Sequence, residues 1–92
     1  MYEILPYTYK RAKEFGVKVF PSDKKTKKID VYDSDGIFIV SVGAKGYKDY
    51  PTYLKEEGKT YADKRRVLYK KRHNKYRKIE GSPSYFADNL LW

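Results

Sequence analysis

Ninety-two residues, 40% hydrophobic and 36% charged, are enough for one modest core and leave no room for a second. The 17% aromatic content, carried mostly by eleven tyrosines, provides the burial that a disordered basic tail lacks, so the chain is expected to fold. The absence of cysteine excludes disulfides and thiolate zinc sites, and one histidine cannot build a metal centre. Met1 to Lys10 contain no apolar run of signal-peptide length, and no stretch is long enough to cross a bilayer. A soluble protein, inside a cell or inside a particle made there, is the expectation.

In chain order, Thr8 to Phe15 reads as a short helix with Thr8 as its cap, Pro6 just before it and Gly16 as its stop. This segment, residues 1–16, is expected to be peripheral. Residues 17–42 read as a three-stranded sheet. Val17 and Val19 alternate until Pro21, Ile29 and Val31 alternate with Asp30 and Tyr32, and Asp33-Ser34-Asp35-Gly36 forms a hairpin turn. Ile37 to Val42 is apolar at almost every position, which predicts a central strand covered on both faces. Residues 47–92 are helical in character. Pro51 suits the first turn of a helix closed by Gly58, and Thr60 with Asp63 suggests a capping box opening a long helix to about Arg77. Ser82-Pro83 starts a terminal helix ending in Leu90, Leu91 and Trp92. The predicted fold is one α+β domain over 1–92, with a three-stranded antiparallel sheet packed with helices and one long basic helix.

The net charge of +9 is concentrated. Lys59 to Lys78 hold ten basic residues against Asp63 alone, while the rest of the chain carries eleven charges of each sign. So focused a field predicts a polyanionic partner. At about 100° per residue, Tyr61, Ala62, Arg65, Arg66, Leu68 and Tyr69 share one side of the long helix with Arg72, His73 and Tyr76. The opposite side carries Lys59, Lys64, Lys70, Lys71, Lys75, Arg77 and Lys78, the candidate nucleic-acid-binding residues. Glutamate partners at helical spacing are missing from this side, which favours phosphate contacts over a solvated face of paired charges. The inner arginines are expected to be structural, with Arg66 or Arg72 paired to Asp49.

Three motifs together resemble a known pattern: Val42-Gly43-Ala44-Lys45-Gly46-Tyr47-Lys48-Asp49-Tyr50, Arg65-Arg66-Val67-Leu68-Tyr69-Lys70-Lys71-Arg72-His73, and Gly81 to Asp88 closing on Leu90-Leu91-Trp92. From Val17 to Trp92 the chain resembles a family of small basic proteins of large nucleocytoplasmic DNA viruses, including mimivirus-like, chlorella-virus-like and marseillevirus-like groups. The resemblance implies a viral protein packaged in the virion and associated with the genome. It also implies signature positions at Gly43, Gly46, Tyr47, Asp49 and Tyr50, continuing with Arg66, Tyr69, Arg72, His73 and Trp92.

Arg66, Tyr69, Arg72 and His73 include the chemistry for tyrosine attack on phosphate, but no carboxylate cluster for Mg²⁺ accompanies them. The expectation is therefore a non-enzyme without metal, cofactor or small-molecule substrate. It would bind nucleic acid, double-stranded DNA first, independently of sequence, in genome packaging or compaction. Its location would be the virion, and the host cytoplasm or nucleus during infection. The alternative is a structural protein of the virion interior that binds acidic protein or an anionic membrane surface. Tyr85, Phe86, Leu90, Leu91 and Trp92 are further expected to form a homodimer interface.

Overall fold

The computed structural model describes residues 2–92 and divides them into two compact units, meeting in the chain at Tyr47 and Lys48. The class is α+β, with four helices and one three-stranded antiparallel sheet ordered β1-β2-β3.

The first unit comprises α1 (Pro6–Glu14), β1 (Lys18–Pro21), β2 (Lys27–Tyr32) and β3 (Phe38–Ala44). Leu5, not Thr8, occupies the N-cap of α1, and Pro6 sits in its first turn, where its missing N–H costs nothing. Thr8 is instead fully buried on α1 together with Ala12, and Ile4 is also buried, so the N-terminal segment belongs to the core rather than the periphery. Cross-strand pairing puts Val19, Ile29, Val31 and Val42 on one face of the sheet, and all four are buried. The β2–β3 turn is held by Asp33, whose Oδ1 accepts from the backbone N–H groups of Asp35 and Ile37 at 2.9 Å each, with Gly36 at φ +82°.

The meander makes β2 the central strand and leaves β3 at an edge, contrary to the expectation from its apolar run. A bulge opposite Val31 and Tyr32 takes Ile39 out of register, so Phe38 pairs with Tyr32. The other face of the sheet then carries a row of rings, Phe20, Tyr32 and Phe38, each 5.5 Å from the next and packed edge to face. Ile37, Phe38 and Ile39 remain exposed.

The second unit contains α2 (Tyr50–Glu57), α3 (Lys59–Arg72) and α4 (Pro83–Leu91). Asp49, fully buried, caps α2: its Oδ1 accepts from the Thr52 N–H at 3.1 Å and from the Thr52 hydroxyl at 2.6 Å. Gly58 ends α2 by donating its N–H to the Tyr53 carbonyl, and opens α3 by accepting from the Ala62 N–H. Its φ of +91° with ψ 170° is accessible to glycine alone, so one residue turns the chain between two adjoining helices. The Thr60–Asp63 capping box does not form. The helix has already begun at Lys59, and Asp63 turns to the Lys59 ammonium at 2.6 Å and the Tyr50 hydroxyl, which donates to it at 2.7 Å. Helix α3 also stops at Arg72 rather than Arg77, and residues 73–80 continue as turns.

Ser82 caps α4 as expected, its Oγ accepting from the Tyr85 N–H at 3.1 Å. Phe86, Leu90 and Leu91 are buried within the single chain, and burial of each leucine contributes roughly 2 kcal/mol. The apolar surface expected to form a dimer interface is thus largely covered already.

Candidate nucleic-acid interface

Helix α3 packs against α2 along a line through Ala62, fully buried, and Arg66, whose guanidinium carbon lies 3.4 Å from the Tyr50 ring centroid. The inner side is therefore centred on Ala62 and Arg66. The side expected from sequence spacing includes both residues but is centred nearer Arg65 and Tyr69, about a sixth of a turn away. This rotation redistributes the candidate residues. Leu68, Arg72 and Tyr61 move to the exposed side beside Lys64, Val67 and Lys71, while Lys70 turns inward.

The basic residues then fall into two groups. Lys70 Nζ lies 2.9 Å from one carboxylate oxygen of Asp88, and Arg77 Nη1 lies 3.7 Å from the other; Asp88 is buried on α4. These two cations tie α4 to α3 and to the following turns, and their charge is spent internally. Lys59 is exposed but bound to Asp63. Among the described residues, by contrast, no carboxylate is in ion-pairing reach of Lys64, Lys71, Arg72, Lys75 or Lys78, all of them exposed. Lys75 lies 5.4 Å from the Tyr76 ring. Seven residues form the sequence-derived lysine side; Lys64, Lys71, Lys75 and Lys78 remain as exposed, uncompensated cations, and Arg72 joins them.

Alongside this row runs an aromatic stack. Tyr69 lies nearly parallel to Trp92, with centroids 4.2 Å apart and planes at 6°, and is also stacked with His73 at 4.3 Å. Tyr53 adds a tilted contact to Trp92 at 6.2 Å, and the Arg65 guanidinium lies 5.5 Å from the Tyr53 ring centroid. A cleft of about 330 Å³ opens beside the stack, lined by Arg65, Leu68, Tyr69, Lys71, Arg72 and Trp92. Three cationic side chains and no acidic side chain stand in its wall. Burial pushes the Tyr69 phenol above its ordinary pKa, reinforced by Asp88 and opposed by Arg72. Burial and then Arg72 hold the His73 imidazole below its ordinary value, with Asp88 opposing.

The signature positions separate. Gly43, Gly46 and the exposed Tyr47 belong to the first unit; Asp49 and Tyr50 are buried at the start of α2 with Arg66 on the Tyr50 ring; Tyr69, His73 and Trp92 form the stack. Arg72 is exposed and is not an ion-pair partner of Asp49. Sequence reasoning missed the cleft, because nothing in the helical spacing shows that the last residue of the chain folds against Tyr69. No group of three His, Cys, Asp or Glu side chains suited to a metal occurs among the described residues, nor is any of their helices long and apolar enough to cross a membrane. Comparison with protein-family models, curated proteins and solved structures yields no match to this chain.

Proposed function

We propose that the protein binds nucleic acid through the exposed cations of α3 and the turns after it, holding duplex DNA by its phosphates without reading sequence. The observation that carries this is the set Lys64, Lys71, Arg72, Lys75 and Lys78, exposed and without acidic partners, in a segment whose Lys59, Lys70 and Arg77 are paired with carboxylates. Unpaired like charges close together in the chain repel one another, and a polyanion relieves that repulsion while releasing its own counterions. Lysine suits the task because a hydrated point charge follows the backbone without demanding a particular base. The resemblance of the motifs to small basic proteins of large DNA viruses supports genome packaging or compaction in a virion as the setting.

Fluorescence anisotropy with mixed-sequence duplex DNA across a salt series tests this. Replacing Lys64, Lys71, Lys75 and Lys78 with glutamine is expected to shallow the slope of log affinity against log salt by about 0.9 for each phosphate that is no longer neutralised. An unchanged slope would overturn the assignment. Lys70→Gln serves as the internal contrast: it leaves the buried Asp88 carboxylate to the more distant Arg77 and costs roughly 2 kcal/mol of stability, with little change in the salt slope.

A further inference from the structure

We infer that the cleft beside the Tyr69–Trp92 stack is a nucleotide site, which takes one unpaired nucleotide of the bound nucleic acid: phosphate toward Arg65, Lys71 and Arg72, base against Trp92 and Leu68. The inference rests on the proposal that this face of the second unit carries nucleic acid, and it adds a chemical class of preferred ligand. The cleft's volume of about 330 Å³ falls at the small end of ligand pockets, enough for one nucleotide but not for a duplex. Its wall combines the two chemistries that a nucleotide presents. Three cationic side chains line it with no acidic side chain to compete with phosphate, and an exposed leucine and an indole provide apolar surface for a base. A simple anion site needs no indole, and a simple apolar pocket needs no arginine.

Arg65 lines the cleft and has no carboxylate partner among the described residues. The neighbouring Arg72 and Lys71 are exposed and free of acidic partners, so no internal ion pair has to break for a phosphate to arrive. The expected consequence is a preference for nucleic acid that offers an unstacked nucleotide, such as a single strand or an overhang, over a blunt duplex.

Trp92 is the sole tryptophan of the chain, so its emission reports the cleft directly. Full-length protein is titrated with oligothymidylate of about 12 nucleotides, with blunt duplex DNA, with thymidine monophosphate and with inorganic phosphate, while anisotropy of labelled oligonucleotide follows overall binding. Oligothymidylate and thymidine monophosphate are expected to quench Trp92, and blunt duplex and phosphate to leave it nearly unchanged. Two variants separate the cleft from general charge. Leu68→Glu puts a carboxylate into the cleft wall, whereas Val67→Glu adds the same charge at a neighbouring exposed position outside the wall. The first is expected to weaken the quenching at least about tenfold and the second by less than about threefold. Binding by anisotropy with no change in Trp92 emission, or equal effects of the two variants, overturns the cleft while leaving the phosphate-binding row standing. Absence of anisotropy binding to any nucleic acid overturns both, unless thymidine monophosphate alone quenches Trp92, which supports the cleft as a nucleotide site in its own right.

Discussion

Each unit displays a row of aromatic rings, and the two rows are built differently. Phe20, Tyr32 and Phe38 on the sheet meet edge to face, with interplanar angles of 83° and 73°, so each ring's positive edge already satisfies its neighbour's negative face. Asp30 lies on the same face, where it accepts from the Ser41 hydroxyl, and Asp33 and Asp35 occupy the adjoining turn. The row in the second unit is stacked face to face, Trp92 on Tyr69 on His73, and the adjoining Tyr53 ring has the Arg65 guanidinium 5.5 Å from its centroid. Ring exposure is common to both, so it does not identify a nucleic-acid surface. The mode of ring packing is what differs: a parallel stack is a motif that a base can extend, whereas the edge-to-face row carries charge of both signs, with Lys24 5.4 Å from the Phe38 ring centroid and Lys18 paired beside Tyr32.

The two units are expected to differ most in what they contribute to affinity for duplex DNA. Glutamine at Lys64, Lys71, Lys75 and Lys78 is expected to weaken binding about a hundredfold, whereas the same removal of charge at the exposed Lys10, Lys13, Lys18 and Lys25 of the first unit weakens it less than about threefold. Equal effects in the two sets would break the contrast by making net charge, not its location, the determinant. A second, smaller difference concerns stability. Tyr69→Ala removes the half-buried middle ring of the stack and is expected to cost roughly 2 kcal/mol in urea denaturation, against roughly 1 kcal/mol for the exposed Phe38→Ala.

The smallest effect is a pH dependence. Burial and Arg72 hold folded His73 below its ordinary pKa, so between that lowered value and about 6.5 the unfolded chain binds more protons than the folded one. The contribution of His73 is therefore fully present above about pH 6.5 and is lost as the pH falls through the folded value. Melting temperatures of the His73→Gln variant should fall less steeply with acidification than those of the parent chain. Parallel profiles would show that the imidazole does not contribute to the stack in this way.

The strands, the Asp33–Gly36 turn and the Ser82 cap were legible because each is encoded by neighbours in sequence: alternation, a side chain two to four residues from the amide it serves, a cap before a proline. What spacing could not supply was the competition between local and distant partners. Asp63 has a local role open to it as a capping residue, but Tyr50 and Lys59 offer its carboxylate stronger donors. Lys70 looks like any surface lysine until Asp88, eighteen residues on, is folded beside it. The apolar run of β3 suggests a central strand covered on both faces, but the meander ends at β3, and Phe38 and Ile39 remain exposed because no second layer covers them. The concentration of charge was visible from the start, and which cations remain uncompensated was not.

Gly58 has a bearing on how the chain reaches this structure. Because it is the only residue between α2 and α3, the loop that must close before the two helices touch is as short as a helical hairpin permits, and its entropic cost is close to the minimum. Contacts of such low sequence separation form within microseconds, well ahead of pairings that join distant parts of a chain. The α2–α3 hairpin is thus suited to act as a folding nucleus onto which Trp92 docks late. An added Cβ at Gly58 would meet no atom within 4 Å, so a substitution there acts through backbone conformation alone. Its cost would fall on the rate of folding more than on the lifetime of the folded state.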